Sequence, residues 1–378
     1  MRSRLFAPGP TPIPDEVQAA MASPLVYHRG PEFPQFIRNL ATGLKAVFPT
    51  EDDVLLLASS GSGAMEAAVV NVLSPGDRAL VIQAGQFGAK WTAICRAYGV
   101  APDVLDLPWG KAVDPADVAL RLKAHPETRV VFATHSETST GVLHDMEALG
   151  SAVRETGALL VVDGVSSVIA HPLRTNDWGI DIALTASQKG LGVPPGVAVV
   201  TVSDRAWGVA ESARLPKSYF DLKTYRSAMA EGRGPATLPM TLMAGMCAAL
   251  DLISIEGIEN VWARHARHAK AVRQATVALG LSVFPDCPSN AVTAIALPEH
   301  VDGLAIMADL KNRFGITVGG GLAHLRGRLI RVSNLGFVDD LDILGVVAAL
   351  EMSLQKAGWS FCPGIGVGAV EKVLSGSM

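Results

Sequence analysis

Short, continuously apolar runs alternate with stretches of helical periodicity along the first two thirds of the chain. DVLLLAS (53–59) leads into SGAMEAAVVNVL (62–73), and RALVIQ (78–83) precedes GAKWTAICRAYG (88–99). RVVFATHS (129–136) precedes MEALGSAVRETG (146–157); ALLVVDGV (158–165), DIALTAS (181–187) and GVAVVTVS (196–203) follow. Strands that are apolar throughout, rather than at every second position, predict a sheet buried on both faces. Their alternation with helices predicts an α/β protein whose sheet is mostly parallel, and in such sheets ligands bind at the carboxyl ends of strands.

The texture changes near residue 256. A long basic helix, NVWARHARHAKAVRQATVAL (260–279), precedes a βαβ-like segment and then LIRVSNLG (329–336) and DDLDILGVVAALEMSLQKAG (339–358). This reads as a second, smaller α/β domain. The expected division is an N-terminal extension (1–15), a large domain (16–256) and a small C-terminal domain (257–378). The Gly-rich tail, FCPGIGVGAVEKVLSGSM, reads as a poorly ordered terminus.

Composition narrows the class. Of 378 residues, 49% are hydrophobic and 18% charged, which fits a packed core rather than disorder. A net charge of −4 gives no reason to expect nucleic acid or an anionic membrane as a partner. Cys95, Cys247, Cys287 and Cys362 lack CxxC spacing, which argues against a zinc ribbon and fits a reducing cytoplasm. The N-terminus has no apolar h-region, and no uninterrupted apolar run is long enough to span a bilayer.

Three features carry candidate chemistry. SSGSG (59–63) follows a strand and opens a helix, so Ser60, Gly61 and Ser62 form either a tight turn or a phosphate cradle at a helix N-terminus. Asp163 ends the strand ALLVVD; it is either a turn residue or the counter-ion of a protonated ring nitrogen. Lys189, in LTASQKGLGVPPG, is either a solvated loop lysine or an amine nucleophile held in a cleft. Taken together they ask for one ligand bearing a phosphate, an aldehyde and a basic ring nitrogen, and pyridoxal 5′-phosphate has all three. His265 and His268 on the basic helix are read as a solvated face rather than a metal pair, and GGG at 319–321 as a sharp turn.

PGPTPIPDEV, HRGPEF, SSGSGAMEAAVVN, LSPGDRALV, FGAKW, THSETSTGVL, VVDGVSS and SQKGLGVPPG, in that order, resemble the class V aminotransferases of fold type I. The likeness is to the alanine–glyoxylate and serine–glyoxylate (serine–pyruvate) group, including a bacterial branch labelled soluble hydrogenase small subunit. It spans nearly the whole chain. The resemblance implies a mostly parallel seven-stranded sheet between helices, a smaller C-terminal domain, and a cytoplasmic homodimer with its active site at the interface. It implies that Lys189 forms an aldimine with the cofactor and that Asp163 holds the pyridine nitrogen protonated. Ser60, Gly61, Ser62 and Gln188 would bind the phosphate, joined by Thr237 reaching across to the neighbouring subunit. Phe87 would stack on the ring and Val165 pack on its other face. Thr138 would contact cofactor or substrate, and Arg331 would grip the substrate carboxylate. The implied reaction moves the amino group of alanine or serine to glyoxylate or pyruvate in two half-reactions.

The chain departs from relatives at two places. Arg331-Val332-Ser333-Asn334 stands where RIGH or RIGL is common, and Gly234 where some relatives have tyrosine. Two alternatives remain open on sequence: a cysteine desulfurase-like lyase using Cys287 or Cys362, and a non-catalytic subunit of a larger assembly.

Overall fold

The computed structural model describes residues 3–376. A seven-stranded sheet runs in the spatial order Asp53–Leu57, Ala198–Val202, Ile182–Ala186, Leu159–Asp163, Thr128–Thr134, Arg78–Gln83, Asp103–Asp106. Only Ala198–Val202 is antiparallel to its neighbours. The apolar strands behave as their composition demands: every residue of Leu159–Asp163, Ile182–Ala186 and Ala198–Val202 is buried. Alternate side chains divide between two cores. Leu160 and Val162 join a cluster with the helix Phe33–Val47, while Leu159 and Val161 join one with the helix Gly61–Val72. Asp103–Asp106, from the polar stretch APDVLDL, is an edge strand that the apolar-run signal does not reveal.

A second, five-stranded sheet is ordered Arg4–Phe6, Ile316–Gly320, Leu329–Ser333, Val292–Ala296, Ser282–Val283. Its first strand comes from the N-terminal stretch, which pairs parallel to Ile316–Val318. The chain then crosses to the other sheet, where the Thr11 N–H donates to the Gln188 carbonyl (3.1 Å) and the Thr11 hydroxyl to the Lys189 carbonyl (2.7 Å).

Three expectations are corrected. The Gly-rich tail is not a loose terminus: Ile365–Leu374 is a helix with Gly366, Val370 and Val373 buried. Its N-terminal N–H groups, on Gly366 and Val367, donate to the Glu351 carboxylate, which ties it to the preceding helix. His265 and His268 are not a solvated face; both are fully buried. The Gly336 N–H donates to His265 Nε2 (3.1 Å), and His268 Nε2 bonds Asp340 (2.7 Å), because this helix is packed between the 333–338 segment and the tail helix. The triple glycine makes no sharp turn. Gly319 and Gly320 continue a strand, and a Cβ on Gly319 would lie 2.8 Å from Pro8, so close approach of the N-terminal segment is what requires the small residue.

Among the described residues, no single helix is long and apolar enough to cross a membrane. Met240–Glu256 and Ile258–Ala278 qualify only as a pair, bent by 84°. The first of the two packs against the helices Asp15–Met21 and Phe33–Val47.

Candidate active site

Three strand ends converge at the carboxyl edge of the large sheet. Asp163 is the last residue of its strand, and Gly164 turns the chain away with its N–H bonded to the Leu184 carbonyl (2.9 Å). The strand Ile182–Ala186 returns directly as its antiparallel neighbour Ala198–Val202, with no crossover helix between them. The connecting loop therefore stays at this edge, braced by the Ser187 hydroxyl donating to the Pro194 carbonyl (2.7 Å), and it carries Gln188 and Lys189. The strand Asp53–Leu57 gives way to the helix Gly61–Val72, whose first turn faces the same hollow.

Eight of the sequence-derived candidates line one cavity: Ser60, Gly61, Ser62, Phe87, Asp163, Val165, Gln188 and Lys189. Gly61 is constrained by proximity, since a Cβ there would sit 2.8 Å from Val165. The Val165 N–H donates to Asp163 Oδ1 (2.8 Å). Burial pushes the Asp163 carboxyl up to about 6, against that hydrogen bond. Lys189 Nζ donates to the Pro8 carbonyl (2.5 Å), and burial draws its amine down to about 8, with Asp163 opposing and Arg331 and Lys90 adding to the shift. Gly9 has φ +134°, and a Cβ there would strike the Lys189 ammonium, so glycine is required beside the amine. Gln188 Oε1 is buried and without a hydrogen-bond partner.

The remaining candidates do not line this hollow. Arg331 is buried on Leu329–Ser333, beyond Pro8 and Gly319. Its Nε donates to the Gly320 carbonyl (2.8 Å) and its Nη1 to the Thr138 carbonyl (2.6 Å). Burial lowers its pKa to about 10, with Glu137 opposing. Thr138 is buried, and it is its backbone carbonyl that engages Arg331. Thr237 is exposed and outside the cavity of its own chain. Cys287 and Cys362 are exposed and do not line the cavity.

Two charged residues escaped the sequence reading. Lys90 lines the cavity, its Nζ donating to the Ser62 hydroxyl (2.8 Å) and lying 5.6 Å from the Phe87 ring centre. Glu137 is fully buried, and its carboxylate accepts from the N–H groups of Phe87 (2.9 Å), Gly88 (2.9 Å) and Ser139 (3.1 Å) and from the Ser139 hydroxyl (2.5 Å). It caps the helix Gln86–Ala97 from the short strand Ser136–Glu137 and thereby fixes Phe87. The available signal was a lone acid in the small, hydroxylated run THSETSTG, and a lysine one turn after Phe87.

A weakly basic amine, a strand-end carboxylate and a helix N-terminus border one cavity on an α/β scaffold. The aminotransferase class-V family model matches residues 5–333, and the chain belongs to that family; it is an aminotransferase. It is 41% identical to the soluble hydrogenase small subunit of Synechococcus sp. (strain PCC 6716), covering 99% of each chain. It is 39% identical to the L-aspartate–glyoxylate aminotransferase of Paracoccus denitrificans, covering 97% of this chain and 95% of that one. The solved structure of ureidoglycine–glyoxylate aminotransferase from Bacillus subtilis superposes with a TM-score of 0.95 at 28% identity, covering 99% of each chain.

Proposed function

We propose that this aminotransferase uses pyridoxal 5′-phosphate to move the amino group of a small amino acid, alanine or serine, to glyoxylate or pyruvate. One observation carries the reading: the Lys189 amine and the Asp163 carboxylate border one cavity whose wall is the N-terminus of Gly61–Val72. The residues fit the cofactor. The buried Gln188 Oε1 lacks a partner that a polar ligand would supply, and Asp163, held by one backbone N–H and raised by burial, would gain a cationic partner in a protonated ring nitrogen.

In this reading Ser60, Gly61, Ser62 and Gln188 hold the phosphate, and Phe87 and Val165 flank the ring. Asp163 keeps a proton on the ring nitrogen. When bound, the cofactor supplies an aldehyde for amine exchange and a ring that withdraws electrons from the substrate α-carbon. Lys189, with its amine near neutrality, takes the proton from that α-carbon and returns it one step later, as general base and then acid. Arg331 offers a planar fork to the substrate carboxylate, and Thr138 positions it through its carbonyl.

A small donor is supported by the cations at hand. Lys189 is engaged by the chemistry and Arg331 by the α-carboxylate, and among the described residues no arginine lines the cavity to grip a distal carboxylate. The glyoxylate acceptor is supported by the Paracoccus and Bacillus proteins, both named as glyoxylate aminotransferases. We further infer a cytoplasmic homodimer, in which the exposed Thr237 serves the phosphate site of a second copy. The two sheets and their separate cores support a division at 16–256 and 257–378. The test is a matrix of amino-group donors against glyoxylate, pyruvate and 2-oxoglutarate. Turnover of alanine or serine with glyoxylate is expected; preference for aspartate or 2-oxoglutarate would overturn the donor and acceptor assignment.

A further inference from the structure

Lys90 has no role in the assignment above, yet its position is highly determined. It lies three residues after Phe87 on the helix Gln86–Ala97, so the two side chains share one face. The start of that helix is locked by Glu137, which accepts from the Phe87 and Gly88 N–H groups, and by the Ser139 hydroxyl, which accepts from Gln86 (3.0 Å). The ammonium is thus delivered to Ser62 from a fixed backbone.

What is missing around Lys90 matters as much. Among the described residues, no carboxylate lies within ion-pair distance of its Nζ; its hydrogen bond goes to a neutral hydroxyl. Nζ has three N–H donors and spends one on Ser62. The Ser62 hydroxyl, accepting that bond, keeps its own proton to donate. Beside it stands the first turn of Gly61–Val72, with its positive dipole end. An unneutralised ammonium, a free hydroxyl proton and a helix N-terminus at one end of a cavity select a group with two negative charges. A phosphate monoester is close to dianionic at neutral pH.

We propose that Lys90 is a phosphate-binding residue of this site, contacting the phosphate monoester of the cofactor together with Ser62. The proposal rests on the pyridoxal 5′-phosphate reading. It adds that one helix sets both ends of the ligand, with Phe87 against the ring and Lys90 at the phosphate. The Asp163 carboxylate repels the phosphate, so the same cavity also fixes which way round the ligand enters.

The experiment is equilibrium binding to cofactor-free protein, followed by absorbance, with pyridoxal 5′-phosphate and with pyridoxal, which lacks the phosphate. Lys90→Met should weaken pyridoxal 5′-phosphate binding by about 10- to 100-fold, as for a lost hydrogen bond to a charged group, and leave pyridoxal binding unchanged. Lys90→Arg should retain most of the affinity. Inorganic phosphate should compete with the cofactor on the wild type and compete less on Lys90→Met. Unchanged cofactor binding by Lys90→Met overturns the proposal, as does an equal loss for both compounds, which would mean a disturbed fold or ring site. Wild-type protein that takes up neither compound overturns the cofactor reading itself, and this proposal with it.

Discussion

Two concavities lined by charged residues handle that charge in opposite ways. The groove of about 500 Å³ beside Met240–Glu256 and Ile258–Ala278 is lined by Glu256, Arg264, Arg267 and Asp340. There four charges meet their complements: Arg264 grips Glu256 through two nitrogens (2.7 and 3.0 Å), and Arg267 grips Asp340 likewise (2.8 Å each), while the fifth charge, Asp339, caps the helix Asp340–Lys356. His268 adds a third bond to Asp340. The cavity at the sheet edge is smaller, about 160 Å³, and leaves its charges without ionic partners. Lys189 bonds a carbonyl, Lys90 a hydroxyl, Asp163 a backbone N–H, and the nearby Arg331 two carbonyls. Size does not mark the reactive region; unspent charge does. A fold tolerates buried groups of perturbed acidity where a ligand completes them.

The contrast is testable, beginning with the largest effect. On the proposed function, replacing Lys189 by Ala removes the amine assigned to proton transfer, so turnover should fall by about 10⁴-fold with the melting temperature preserved. Near-normal turnover would take Lys189 out of the mechanism. Glu137 is the exception in the active region, a charge fully satisfied by its own chain. Glu137→Ala strands three N–H groups and should cost about 3 kcal/mol, read from the urea midpoint. An effect below about 1 kcal/mol would contradict its capping role.

Asp163 sharpens the comparison through pH. Its folded pKa is raised, from 3.8 to about 6, so its burial costs stability when ionised. That cost is fully present above about 6 and fades as pH falls towards 4. Asp163→Asn should therefore stabilise the cofactor-free protein at pH 7 by about 2–3 kcal/mol, with the gain vanishing near pH 4, while lowering activity once cofactor is added. A loss of stability at pH 7 would mean that the carboxylate is already paired. The smallest effect belongs to the matched groove. Arg267→Ala, breaking a half-exposed pair, should cost about 0.5–1 kcal/mol and leave KM unchanged. A shift in KM would make that groove part of the substrate path.

Much of this site can be read from the chain because its residues are strand ends. An apolar run stops at Asp163, another shortly before Lys189, and small residues open a helix at 60–62. Periodicity and turn chemistry suffice to put them on one sheet edge. Glu137 and Lys90 could not be found that way, since their meaning depends on which helix N-terminus and which hydroxyl lie opposite. The same holds for His265 and His268, where a basic helix surface hid two buried imidazoles. The tail helix was missed because its cap, Glu351, belongs to another element.

The amino-acid order alone determined the mostly parallel α/β scaffold, the sheet edge where the candidate site lies, and the amine and carboxylate placed there. These follow from side-chain period and strand length, which are local properties. Tertiary structure alone decided which charges are matched and which remain open, that the Pro8 carbonyl meets the Lys189 ammonium, and that Glu137 sets the helix bearing Phe87 and Lys90. Those outcomes depend on segments up to 193 residues apart meeting in the interior. There an unpaired charge is costly, and the partner that relieves it is fixed by packing rather than by neighbours in sequence.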